Sequence, residues 1–232
     1  MSQIVTFEQQ DKIGVIKMDD GKANAMSFEM AAQMNAALDE AEKNSDAIVL
    51  EGGAKCFCAG FDLETMKAGG PDRDRLLKTG FALSYRLLNA GRPVIAKSAG
   101  HALAMGAILL LSCDYRIGVN GSAKIGLNEI AIGVEMPGYG VDLVLDRLAK
   151  PAQIPALANS VIYTPDQAVQ VGFLDEAVEA DALNSRVNDV AGYLASLNMP
   201  AHQKAKRALR ADFWQNMKRC TERKSCQKIK SI

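Results

Sequence analysis

The sequence predicts an α/β fold with a mainly parallel sheet, on three observations. Short apolar runs alternate with stretches of helical periodicity. The order strand, helix, strand recurs from the N-terminus to about residue 126. Glycine and other small residues punctuate the junctions. With 232 residues and no low-complexity linker, the expectation is a single domain over 1–232. That length buries a sizeable core without disulfide or metal staples.

The run 4–7, the break at Asp11-Lys12 and the run 13–18 read as a strand hairpin. Asp19-Asp20-Gly21 ends it. Ser27 offers an N-cap to a helix reaching Asn44, in which Met30, Met34, Leu38 and Ala41 recur on one face. The run 46–50 is the next strand, stopped by Gly52-Gly53. Strand, helix and strand in that order predict a right-handed crossover between parallel strands. A helix over about 72–89, with Leu76, Leu77, Phe81, Leu83 and Leu87 inward, leads to a strand at 93–96. Ala102–Ser112 reads as a buried helix, followed by strands at 115–119 and 123–125. From Gly138 the chain reads as mainly helical. Thr164, Pro165 and Gln167 form a capping-box start, and Gly172 stands at the end of that helix. A further helix begins at Asp181, with Leu183, Val187, Val190, Ala191 and Leu194 inward, and the last starts near Ala201.

Lys+Arg and Asp+Glu both number 27, so the formal net charge is zero. Nucleic acid and an anionic membrane are therefore not expected partners, because each needs a concentrated basic face. The basic clusters at 204–210 and 218–224 read as solvated faces of the C-terminal helix. The longest apolar stretch, Ala102–Leu111, is too short to span a bilayer, and residues 1–20 lack the apolar core of a secretory signal. Cysteines at 56, 58, 113, 220 and 226 form no disulfide or zinc framework, which predicts reduced thiols in a cytoplasmic protein without a metal. The two histidines, His101 and His202, read as packing or hydrogen-bonding residues.

Two segments share one design. Cys56–Leu63 and Ala99–Gly106 each run from an apolar strand through a small-residue turn into a helix. Glycine permits positive φ and close approach. The first N–H groups of a helix lack internal partners and point outward with a positive dipole. Two such turns converging would make an oxyanion hole from main chain, although tight α/β packing produces the same pattern.

The segment Gly53-Ala-Lys-Cys-Phe57-Cys-Ala59-Gly60-Phe61-Asp62-Leu63 resembles the first signature of the crotonase (enoyl-CoA hydratase/isomerase) superfamily. The stretch from Pro93 through Asp114 is similar to the second. Ile125–Glu129 with Ile132-Gly133 and Pro137-Gly138 looks like the third. Order and spacing match over essentially the whole chain. The resemblance implies a repeated ββα superhelix over about 1–190, a helical trimerisation region over about 191–232, and a homotrimer or dimer of trimers. It also implies an acyl-CoA substrate whose thioester oxygen is held by two backbone N–H groups, with no cofactor beyond the coenzyme A of the substrate. Those donors would be Phe61 and Met105. The usual glycine-rich triplet reads Ala104-Met105-Gly106 here, so a methionine side chain must be accommodated.

By the same resemblance Glu129 is the catalytic carboxylate. The second glutamate of hydrating members falls at Ile108, which can neither hold nor polarise water. That substitution, with the segments Cys113–Ile117, Ile125–Glu129 and Gly133–Pro137, looks closest to the Δ3,Δ2-enoyl-CoA isomerases. These would shift a 3-enoyl double bond to position 2 with one acid/base group. Glu135 is a second candidate carboxylate, or an exposed loop residue, and with Glu129 it would serve the alternative, hydration. A third possibility is an acyl-CoA-binding protein of weak activity. Similarity also assigns the turn Lys22-Ala23-Asn24-Ala25, together with Ala59, Asp62, Leu63, Ile108 and Pro137, to the ligand, while Met66 and the helix over 72–89 would shape the acyl end.

Overall fold

A computed structural model describes residues 2–211 and 213–215. Cys220, Cys226 and the basic cluster at 218–224 lie outside the described residues. The chain opens with β1 (Val5–Gln10) and β2 (Ile13–Met18), paired antiparallel, followed by α1 (Phe28–Asn44). The Ser27 side chain accepts from the Met30 N–H, a cap of about 1 kcal/mol. The unit then repeats. β3 (Ala47–Glu51) and β4 (Cys56–Cys58) lead to α2 (Leu63–Ala68) and α3 (Gly70–Leu88). β5 (Val94–Ser98) and β6 (His101–Leu103) lead to α4 (Met105–Ser112), and β7 (Tyr115–Val119) and β8 (Ile125–Gly126) lead to α5 (Gly138–Arg147). The remainder is α6 (Gln153–Leu157), α7 (Pro165–Val171), β9 (Glu176–Val178), α8 (Leu183–Ala195) and α9 (Met199–Leu209).

After the first hairpin, the strands of each pair part company. One enters a six-stranded sheet of order β1-β2-β3-β5-β7-β9, and the other a three-stranded sheet of order β4-β6-β8. Every pairing except β1 with β2 is parallel. Alternation divides the large sheet cleanly between two cores. Ile48, Leu50, Val94 and Ala96 face the main core with α1, α3 and α4. Ala47, Val49, Ile95 and Ile117 face a second cluster closed by Leu183, Val187, Val190 and Ala191 of α8. No helix among the described residues is long and apolar enough to cross a membrane.

Three expectations about secondary-structure elements need correction. Ala102 and Leu103 belong to β6, and the helix begins only at Met105, because the backbone pairs with β8 before it turns. The helix expected from 72 begins at Gly70 and follows the separate short α2. The C-terminal third also supplies a strand: β9 pairs with β7 at the sheet edge. Its three half-buried residues were too short a run to show a period. The capping box at Thr164 forms, with Gln167 Oε1 accepting the Thr164 N–H at 3.1 Å, and Gly172 ends α7 in the left-handed region at φ 98°.

The basic cluster at 204–210 is not wholly the solvated face expected of it: Lys204 and Arg207 are exposed, but the side chains of Lys206 and Arg210 are enclosed, and α9 docks through their charge. Asp114, at the start of β7, accepts from Lys206 Nζ at 2.6 Å and from Arg210 Nη2 at 2.9 Å. Lys206, Gln203 and Arg210 also donate to the carbonyls of Ala90, Gly91 and Leu88, so α9 satisfies orphan acceptors after α3.

Candidate active site

The small sheet gathers the candidate residues by topology. Phe61 stands three residues beyond the end of β4, Met105 two beyond β6, and Glu129 three beyond β8. These strands are adjacent and parallel, so all three residues lie off one carboxyl edge, where open α/β sheets bind ligands.

Each candidate donor is aimed by a hydrogen bond to the carbonyl of its own peptide unit. In a trans peptide the C=O and the following N–H point in opposite directions. The Gly60 carbonyl accepts the Met26 N–H at 2.7 Å, and Asp62 N–H donates back to the Met26 carbonyl at 3.0 Å. The Phe61 N–H between them therefore points away from Met26, towards the β6 side of β4. On that side the Ala104 carbonyl accepts the Ile108 N–H at 3.1 Å, so the Met105 N–H points out of the first turn of α4. The turns touch. A Cβ built on Gly60, at φ 111°, would lie 3.0 Å from Ala104 Cβ and 3.9 Å from Met105 N. Gly106 is required by an even closer approach, since its Cβ would fall 2.0 Å from the Cys58 carbonyl oxygen. Ala104 holds φ 50° and ψ −119°, a conformation that costs a non-glycine residue about 1–3 kcal/mol.

The methionine in the second turn is absorbed by the core. Met105 is fully buried, and its sulfur lies 3.5 Å from where a Cβ on Gly80 would be. The Phe61 ring occupies the same hollow, 2.4 Å from that point, so α3 needs glycine there. Phe81 packs on Phe61 at 6.0 Å between ring centroids, and Tyr139 on Phe81 at 5.6 Å. Tyr139 also shares a buried hydroxyl chain with Ser84 and Ser112, which ends on the Ile108 carbonyl. Ile108 has no exposed surface.

Glu129 is half-buried, and its Oε2 is enclosed with no hydrogen-bond partner, as is Oδ1 of Asn128. Burial raises its carboxyl well above the usual range, to about 7, against a smaller lowering by its own backbone N–H. A carboxyl poised there exchanges protons readily near neutral pH. Its backbone is fixed, with the Glu129 carbonyl accepting from Ile132 and Val134 N–H groups at 3.1 and 2.8 Å. Glu135 is exposed on the following loop, and Pro137 is half-buried before α5. His101 accepts the Lys124 N–H on Nδ1 at 2.8 Å, a structural bond between β6 and the entry to β8.

Of the residues assigned to the rest of the ligand, those at 22–25 belong to the segment that bonds to 59–62 after β4. Lys22, Ala59 and Leu63 are exposed, and Ala23, Ala25 and Asp62 are half-buried. The Asp62 side chain is committed to capping α2, accepting from Thr65 N and Oγ1. What the sequence did not reveal is that Asp20 and Asn24 close this loop with their side chains. Asn24 is almost completely buried, at φ 53°, and Asp20 accepts backbone N–H groups around it. The visible signal was two Asx residues four apart around a glycine, a pattern that favours side-chain-closed turns.

A family model described as "Enoyl-CoA hydratase/isomerase" matches residues 8–228. The chain is 30% identical to a protein named short-chain-enoyl-CoA hydratase from Clostridium acetobutylicum over 215 residues, covering 88% of this chain and 80% of that one. Among solved structures, an enoyl-CoA hydratase/isomerase family protein from Pseudomonas syringae superposes with TM-score 0.88 at 37% identity, over 91% of this chain and 92% of that one. A Mycobacterium tuberculosis protein, named an enoyl-CoA isomerase with one of its structures and a probable enoyl-CoA hydratase with another, gives TM-score 0.87 at 36% identity, the first structure over 92% of this chain and 93% of that one.

Proposed function

From the premise that the chain belongs to the enoyl-CoA hydratase/isomerase family, we propose that it moves the double bond of a 3-enoyl-CoA to position 2, with Glu129 as the single acid/base. The thioester oxygen accepts from the Phe61 and Met105 N–H groups. Glu129 takes a C2 proton, and the electron pair spreads into a dienolate whose oxygen the two donors stabilise. The same carboxyl, now protonated, returns the proton at C4, leaving the double bond between C2 and C3 and restoring the carboxylate.

The observation that carries this proposal is the pairing of one shielded carboxyl, whose Oε2 has no hydrogen-bond partner, with a fully apolar Ile108. Hydration requires a held, activated water, and an isoleucine provides no group for it. Lys22 and the backbone of Ala23, Ala25, Ala59 and Leu63 are proposed to meet the coenzyme A moiety, with Lys22 as a mobile cation for phosphate. Exposed Ile130 and Ile132, directly after Glu129, and Ile154 fit burial between copies in a trimer. The free thiols Cys56, Cys58 and Cys113 fit a reducing compartment such as the cytoplasm.

The test is direct. Purified protein incubated with a 3-enoyl-CoA should develop the ultraviolet absorbance of the conjugated thioester, and Glu129→Gln should not. Brisk hydration of crotonyl-CoA with a silent isomerase assay would overturn the proposal. That outcome would favour hydration by Glu129 and Glu135, the alternative kept open by the hydratase name of the Clostridium relative.

A further inference from the structure

We propose that Asn24 is a positioning residue of the oxyanion hole, holding Met26 where its N–H locks the Gly60–Phe61 peptide and so aims the Phe61 donor. This rests on the assignment of Phe61 N–H to the thioester oxygen.

The need for such a residue follows from Gly60. With no Cβ and φ at 111°, Gly60 leaves the peptide between itself and Phe61 free to rotate unless something outside holds it. The holder is the segment 23–26, which lies beside 59–62 through a single parallel bridge between Met26 and Phe61. Ala59 N–H donates to the Ala23 carbonyl at 3.0 Å, and Met26 makes the two bonds that flank Phe61. Such a segment, following Asp19-Asp20-Gly21, has little of its own to keep it straight.

Asn24 supplies that constraint. Its Nδ2 lies 3.1 Å from the Met18 carbonyl, 3.3 Å from that of Cys56 and 3.2 Å from that of Phe57. Its Oδ1 accepts the Asp20 N–H at 3.0 Å. One side chain thus ties the end of β2, the loop and β4 together, and is only 3% exposed. Asp20 closes the loop from the other end, accepting from Asn24 N at 2.9 Å, Lys22 N at 2.8 Å and Ala25 N at 3.2 Å. The left-handed backbone at φ 53° explains the residue type. Asparagine tolerates that region far better than other residues with a donor of this reach.

A purely structural Asn24 would affect stability and leave the polarisation of bound substrate alone. The two roles are separated by Asn24→Gly, which keeps the left-handed backbone and removes every side-chain bond. The probe is crotonyl-CoA labelled with 13C at the thioester carbonyl, read by difference infrared spectroscopy on the full chain, alongside isomerase kinetics. The expected result is a fall in kcat of about tenfold with KM changed less than about threefold, and loss of most of the carbonyl red shift seen with the unaltered protein. A folded Asn24→Gly with kcat within about twofold and an undiminished shift overturns the proposal. If that variant does not fold, Asp20→Asn loosens the same loop: a partial loss of shift supports the proposal, and unchanged shift and kcat overturn it. Unaltered protein that binds the probe with no red shift fails the thioester assignment itself, a result distinct from a shift that survives in the variants.

Discussion

The two sheets come from one repeated strand pair, yet they meet different demands. The large sheet is buried on both faces along its central strands, its strands are mostly five or six residues long, and its tolerances are those of apolar side chains. The small sheet has strands of two or three residues, and its edges are closed by single bridges, Met26 beside Phe61 and Tyr163 against Ile125. Around it, backbone meets backbone at Gly60, Gly106 and Ala104. Side chains in the first region can give way, whereas carbonyls and N–H groups in the second cannot. A site built from main-chain donors needs the second kind of packing.

The largest effect that would sharpen this contrast is at Glu129. Glu129→Gln should lower isomerase kcat by about 10³-fold or more in steady-state assays while leaving the circular dichroism spectrum unchanged.

Next is a pair of glycines. At Gly106 an added methyl meets the Cys58 carbonyl oxygen, and at Gly118 of β7 it meets Leu174 Cδ1 at 2.5 Å, the end of a flexible side chain. Gly106→Ala should cost about 10²-fold in kcat through displacement of the donor. Gly118→Ala should cost roughly 1–3 kcal/mol in denaturant unfolding and leave kcat per folded molecule unchanged. Equal kinetic losses at both glycines would break the comparison.

The pH dependence follows from the raised carboxyl of Glu129. As a base it must be ionised, so kcat/KM should rise about tenfold per pH unit below about 7 and level off above it. The stability effect has the opposite sign. A carboxyl whose folded value is raised stabilises the fold while protonated and loses that contribution as pH rises through about 7. Glu129→Gln should therefore gain melting temperature over the parent above that pH and not well below it.

The smallest effect is at Ala104. Ala104→Gly relieves the positive φ and should raise the melting temperature by roughly 1–3 °C, with kcat changed less than about threefold.

Much of the large sheet was legible because its signals are local and periodic. The hairpin, the Ser27 cap and helix 28–44, and the capping box at Thr164 all follow from runs of suitable residues. β6 and β9 were not legible, since a three-residue strand is defined by its partner rather than by its own sequence. At the site, Phe61, Met105 and Glu129 came from motif resemblance, and the topology then brought them to one edge. The burial of the Met105 side chain against Gly80 could not be anticipated, because those residues meet only after α3 packs on α4. The bonding role of Asn24 was hidden for a related reason: its three carbonyl partners come from β2 and β4, far apart in sequence.

The most direct test of the two-donor, one-carboxyl site is a crystal structure with a non-isomerisable acyl-CoA bound. The expected structure has the thioester oxygen about 3 Å from both the Phe61 and Met105 nitrogens, with the Glu129 carboxyl facing C2 and C4. A thioester bound away from the carboxyl edge of the small sheet, or a different carboxyl facing C2, would contradict it.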